Sequence, residues 1–404
     1  MPEINAYREA YYSMTWLGPQ GYPEHANSGR CYLTGLLGIL RLFGESNTLF
    51  ADGVGGDGFS FRWSPVWGCP AFNGGKGPFH EIWEYIPRML GFKACWQEDP
   101  IGGWDQAWRL LCELIDRGLP VQVGLHYSLL LPYGAKTSPR LAYMHSVMPP
   151  TGFGHHVVVA GYHLKHGEVV IYEPNDIMPY SRFVCPIDVF RQAWFEAAQR
   201  KDLSYLEWTY HKAFNEQWSL HDGYGPYLMV WIEPERDGNW DIWSAIRDSF
   251  YRNLKILRGD YPKPYACFGN QWQIPHWETG APGMIQCVKA IRDGRLTDIR
   301  TPEGNLCRLF SEGNIPNHGV LGRRAASGYL NTVALELGKR GGKTTEVRSA
   351  AQEMDRSSGL FRRLRYTDDL AVAADILQKI AETELRALTS METAWPIIQN
   401  IQPL

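Results

Sequence analysis

The chain has 404 residues with a net charge of −3, 44% hydrophobic and 21% charged residues, the composition of an ordinary globular protein with enough apolar material for two cores. That balance argues against a nucleic-acid surface, which needs clustered Lys and Arg, and no apolar run approaches the roughly 18 residues of a membrane span. The opening MPEINAYREAYY has neither the basic start nor the apolar core of a secretory signal, so a cytoplasmic protein is expected, with its 8 cysteines as reduced thiols.

In chain order, residues 1–30 read as irregular. From Cys31 to Phe43 the apolar positions 33, 36, 37, 40 and 43 fall on one helix face, and Ser28 is a candidate N-cap that puts Cys31 in the first turn. The glycine-rich stretch Gly53–Gly58 reads as a tight turn after a short apolar segment. Residues 80–90 and 104–117 read as helices, the second stopped by Gly118 and Pro120. Residues 120–131 read as a strand ending at Leu131-Pro132-Tyr133. Two strands follow at 156–162 and 169–173, and another at 227–232. Beyond about 236 the pattern is helical almost throughout. The expected architecture is an α+β domain over 1–235 and a mainly helical domain over 236–404. The basic run Lys339–Lys343 reads as a solvated loop, and Gly342-Lys343-Thr344 lacks the upstream glycine and strand of a phosphate-binding loop.

A cysteine in the first turn of a helix lies among backbone N–H groups without intrahelical partners, and that positive end favours thiolate. If the strands at 156–162 and 169–173 form a hairpin centred between His163 and His166, His156 falls opposite Glu173. Opposed residues share a face, so Glu173 would hold one ring nitrogen of His156 and leave the other for a thiol. By alternation His155 points to the opposite face. Asn175 and Asp176 are substitute orienters if the register differs. The expected catalytic residues are therefore Cys31 as nucleophile, His156 as base and Glu173 as orienter.

The order Cys, His, acid is that of papain-like enzymes. GRCYLTGLLGILRLFGESNTLFADGVGGDGFSF resembles the start of the BtrH-like family, named for a butirosin biosynthesis acyltransferase. GLPVQVGLHYSLLLPY, GHHVVVAGYH and VVIYEP are similar to its following segments in the same order, and GRRAASGYLNTVALELG and AADILQKIAETELRAL to its helical second domain. Arg30 stands where relatives often carry His, and Glu173 where papain-like peptidases of the C39 type carry Asp.

The resemblance implies a papain-like fold and transfer of an acyl group from the phosphopantetheine thioester of an acyl carrier protein to a small-molecule amine, through an acyl-enzyme on Cys31. It implies no metal and no cofactor beyond the donor's pantetheine arm. Asp52 and Asp57 are candidate contacts to an amine-bearing acceptor, Tyr133 a candidate pocket wall, and Arg323 and Arg324 candidate contacts to a carrier protein. Two rivals use the same sequence: a hydrolase or cyclising release enzyme with another acceptor, and a catalytically idle scaffold for a carrier domain.

Overall fold

In the computed structural model, residues 3–12, 15–17, 23–25, 31–63, 79–97, 100–147, 154–174, 181–199, 227–236, 240–260, 278–295, 299–300, 306–307, 314–364, 367 and 369–401 are described. Helix α1 (Asn5–Tyr12) precedes the short strands β1 (Thr15–Leu17) and β2 (Pro23–His25), so the described residues among the first 30 include regular elements where none was expected. Next come α2 (Cys31–Leu42), α3 (Thr48–Gly55), a 3-10 turn at Asp57–Phe59, β3 (Arg62–Trp63) and α4 (Phe79–Met89). Then follow β4 (Phe92–Gln97), α5 (Gly103–Asp116), β5 (Val121–His126), a 3-10 turn at Tyr127–Leu129, α6 (Leu131–Gly134) and α7 (Pro139–Val147). The strand expected over 120–131 thus stops at His126. Strands β6 (Gly154–His163), β7 (Glu168–Tyr172) and β8 (Arg182–Pro186) lead to α8 (Ile187–Gln199) and β9 (Met229–Arg236). The remainder is α9 (Ile242–Arg258), β10 (Glu278–Thr279), α10 (Gly280–Arg292), β11 (Ile299–Arg300), β12 (Leu306–Cys307), α11 (Asn314–Lys339), α12 (Thr345–Leu364) and α13 (Leu370–Asn400).

The protein is mixed helix and sheet, of α+β type. Two compact units divide it: residues 1–48 with 92–235, and residues 49–91 with 236–404. The expected division at 235/236 therefore needs a correction, because 49–91 packs with the helical unit. The cause is tertiary. In α9, Asn253 Nδ2 donates to the Gly53 carbonyl at 2.7 Å and Arg252 Nη1 to that of Gly55 at 3.0 Å, adding side-chain partners to carbonyls in the last turn of α3.

The first unit is built on a six-stranded sheet of order β4-β9-β5-β6-β7-β8, with antiparallel ladders β9–β5, β5–β6, β6–β7 and β7–β8. Val157–Ala160 and Val169–Tyr172 are buried on both faces, as expected of continuous apolar runs in central strands. Helix α5 buries Ala107, Leu111, Leu114 and Ile115, one stripe at helical spacing. It ends where Gly118 takes φ 80°, a left-handed turn that costs glycine nothing. These side chains, with Phe190, Ala193 and Trp194 of α8, form one core with Val121, Val123, Leu125, Val157, Val159, Val169 and Ile171 of the sheet.

In the second unit, Asp241 and Asp369 cap α9 and α13 by accepting from backbone N–H groups of the first turn, the usual job of aspartate there. Arg323 of α11 is fully buried. It donates to both oxygens of Glu384 at 2.7 and 3.0 Å and to the Ser60 carbonyl at 3.0 Å, while Ser357 Oγ donates to Glu384 at 2.7 Å. Its expected role as an exposed contact is corrected: its charge is already matched inside this unit. Arg340 in the basic run is likewise not solvated, for its guanidinium lies over Trp243 at 4.9 Å and bonds Glu336 at 2.9 Å. Among the described residues no helix is long and apolar enough to cross a membrane.

Candidate active site

Cys31 is the first residue of α2, placing its sulfur where a helix presents unpaired N–H groups. The helix is seated by Gly35, one turn on. A Cβ there would lie 2.9 Å from Val158 Cγ2 and 3.2 Å from Gln122 Oε1, so only glycine lets α2 approach β5 and β6 this closely. The proposed N-cap Ser28 lies outside the described residues.

The histidine that meets the carboxylate is His155. Its Nε2 donates to Glu173 Oε1 at 2.8 Å and Oε2 at 3.0 Å, with both side chains about 1% exposed. The Cys31 sulfur lies close enough to the same imidazole to favour its charged form. With Nε2 occupied by both carboxylate oxygens, Nδ1 is the nitrogen left to the sulfur. Burial alone would lower the pKa of His155. The Glu173 charge, the Cys31 sulfur and the hydrogen bonds to Glu173 overcome it, raising the pKa to about 10.

His156 does not occupy this position. In the β5–β6 ladder His155 lies opposite Leu125 and His156 opposite Gly124, so the two rings leave opposite faces of the strand. Burial and the neighbouring His155 charge push the His156 pKa well down. This corrects the expected pairing of His156 with Glu173, and the reason is a single residue. The hairpin closes with His163 opposite Glu168, and register shifts between Val159 and Gly161, so that Val158 faces Tyr172. A bulge takes one extra residue into one strand and inverts the faces beyond it. Continued past Tyr172, that register sets Glu173 on the face of Val157 and His155. The bulge is held from outside the hairpin: Ile4 N donates to the Ala160 carbonyl at 2.8 Å and Glu3 bridges Gly161. Glu3 is itself anchored by Arg182 at 2.6 and 2.7 Å and by the Tyr172 hydroxyl at 3.1 Å.

Of the other expected residues, Tyr133 lies half-buried on α6 against the core of the first unit, with Lys136 Nζ 5.1 Å from its ring centroid. Asp52 is fully buried in α3. Asp57 opens the 3-10 turn. Both aspartates belong to the second compact unit, whereas Cys31, His155 and Glu173 belong to the first. Asn175 and Asp176 lie outside the described residues. Among the described residues no group of three or more His, Cys, Asp or Glu could hold a metal ion.

Two contributors escaped the sequence reading. Tyr127, fully buried, sets its ring 4.4 Å from that of His155. Gly35 seats the helix. The consecutive pair His155-His156 was the available signal that either face of β6 can present an imidazole. Compared with known proteins, the sequence matches no protein-family model and shows no significant match to a curated protein.

Proposed function

We propose that this chain is a cysteine-dependent acyltransferase with a papain-like first unit, in which Cys31 is the nucleophile, His155 the acid–base group and Glu173 its orienter. The observation that supports this reading is the chain of contacts from Cys31 to His155 to Glu173, with the imidazole buried and disposed to hold a proton beside a sulfur at a helix N-terminus. A buried carboxylate fixes ring and tautomer, a helix end favours negative sulfur, and the remaining nitrogen handles the proton.

The chemistry follows from those parts. The Cys31 thiolate attacks the carbonyl of a carrier-bound thioester, and the backbone N–H of Cys31 is one donor to the oxyanion. The C–S bond of the donor breaks, its thiolate takes the proton from His155, and the acyl group rests on Cys31. One thioester replaces another, so the step is close to balanced. An amine then attacks the acyl-enzyme, His155 Nδ1 accepts its proton, and Cys31 leaves as thiolate with an amide formed. Resemblance to the BtrH-like family supports the choice of donor and acceptor classes.

Intact-protein mass after incubation with a panel of acyl-pantetheine thioesters tests this. Acyl mass on the wild type and not on Cys31→Ala, discharged to an amide by added amines, is the expected result. Discharge to free acid whatever amine is present would make the protein a hydrolase. Absence of acylation by every donor would favour a non-catalytic scaffold.

A further inference from the structure

We propose that Tyr127 is a positioning residue, whose ring holds the His155 imidazole in the plane that meets Glu173 and Cys31 together. This rests on the Cys31–His155 reading and adds to it a group that makes no contact to substrate.

The placement is a consequence of the fold. Leu125 lies opposite His155 in the β5–β6 ladder, and Tyr127 follows Leu125 by two residues, at the start of the 3-10 turn that ends β5. The turn is closed by Leu130 N donating to the Tyr127 carbonyl at 2.8 Å, and Tyr127, Leu130 and Leu131 all belong to the buried core. The tyrosine therefore has no room to swing away. Its ring centroid lies 4.4 Å from that of His155 at a tilt of 45°.

The imidazole is tethered at Cγ and bonded to Glu173 through Nε2, which leaves tilting about the axis through those two atoms. A contact on the ring surface restricts that tilt. The aromatic face also attracts a cation, more strongly where water is excluded, so the same contact favours the protonated ring. Glu173 and Cys31 also favour the charge of His155, and the adjacent His156 is disposed to be neutral. The contact is between rings, so phenylalanine should substitute.

The test compares the full-length wild type with Tyr127→Phe and Tyr127→Leu. Cys31 alkylation by iodoacetamide is followed across the pH range, together with an NMR titration of His155 carried through its raised pKa of about 10. Tyr127→Phe should keep both profiles. Tyr127→Leu should slow alkylation near neutral pH about tenfold and move the His155 titration down by about half to one unit. A folded Tyr127→Leu with wild-type profiles, or a Phe variant as impaired as the Leu variant, overturns the proposal. Should Tyr127→Leu not fold, Tyr127→Met replaces it. Should neither fold, the Phe profiles decide, unchanged in support and shifted against. If wild-type Cys31 alkylates no faster than a simple thiol, the catalytic reading fails, while the His155 titration still tests Tyr127.

Discussion

His155 and Glu173 are joined by a double contact at 2.8 and 3.0 Å inside the first unit, although His156 is one residue away on the same strand and equally buried. The two histidines have opposite electrostatic fates. His155 is held charged by Glu173 and Cys31, and His156 is held neutral by burial and by His155.

Substitution separates them. His155→Ala should slow acylation of Cys31 by about 10²–10⁴-fold, the usual weight of a general acid–base group. His156→Ala should leave that rate within about tenfold, since its ring leaves the other face of the strand. Single-turnover acylation followed by mass is the measurement, and equal losses in both variants would count against the assignment.

The charge of Glu173 should be visible in stability as a function of pH. The folded-state pKa of His155 is raised, to about 10 from an ordinary 6.5, so the folded state binds the extra proton between those values. The resulting stabilisation is fully present below the ordinary value and is lost as pH rises through about 10. Glu173→Gln removes the charge and should be less stable than wild type at neutral pH. In urea melts the gap between the two proteins should narrow towards pH 10 and beyond.

Gly35 should tolerate no side chain. In Gly35→Ala the new Cβ meets Val158 Cγ2 at 2.9 Å, and β-branched Val158 is stiff. The expected cost is about 1–3 kcal/mol of overpacking. Because Cys31 stands one turn away on the same helix, its alkylation rate should fall as well. Denaturant melts and iodoacetamide kinetics read the two effects separately.

In the second unit, Glu384→Ala should be among the most destabilising single changes. It removes both carboxylate contacts from the fully buried guanidinium of Arg323, and breaking a buried pair from one side costs about 3–5 kcal/mol. Replacing both partners, Arg323→Met with Glu384→Leu, should recover much of that loss. A double-mutant cycle by denaturant unfolding checks it.

Much of this architecture was readable from local pattern. The apolar face of α2 and the stripe of α5 repeat at helical spacing, and β6 and β7 are runs too apolar to lie elsewhere than in the core. Residues 49–91 misled because nothing in their own pattern shows that Asn253 and Arg252, about two hundred residues later, bond carbonyls in the last turn of α3. Arg323 misled for the same reason, since an arginine beside a second arginine on a helix reads as surface until Glu384 is found against it. The abundance of aromatic residues was ambiguous in sequence. Tyr127 and Trp194 are core, and Tyr127 is also a neighbour of the candidate site.

The sequence by itself determined that Cys31 lies in the first turn of a helix, that an imidazole and a carboxylate are carried by one hairpin, and that the chain changes to helix beyond about 236. Tertiary structure alone decided which imidazole. A strand alternates faces with a period of two, so one extra residue exchanges His156 for His155 at Glu173. That residue is admitted at the bulge between Val159 and Gly161. The bulge is braced by Glu3 and Ile4 from the far end of the chain, where no pattern within the hairpin itself can register it.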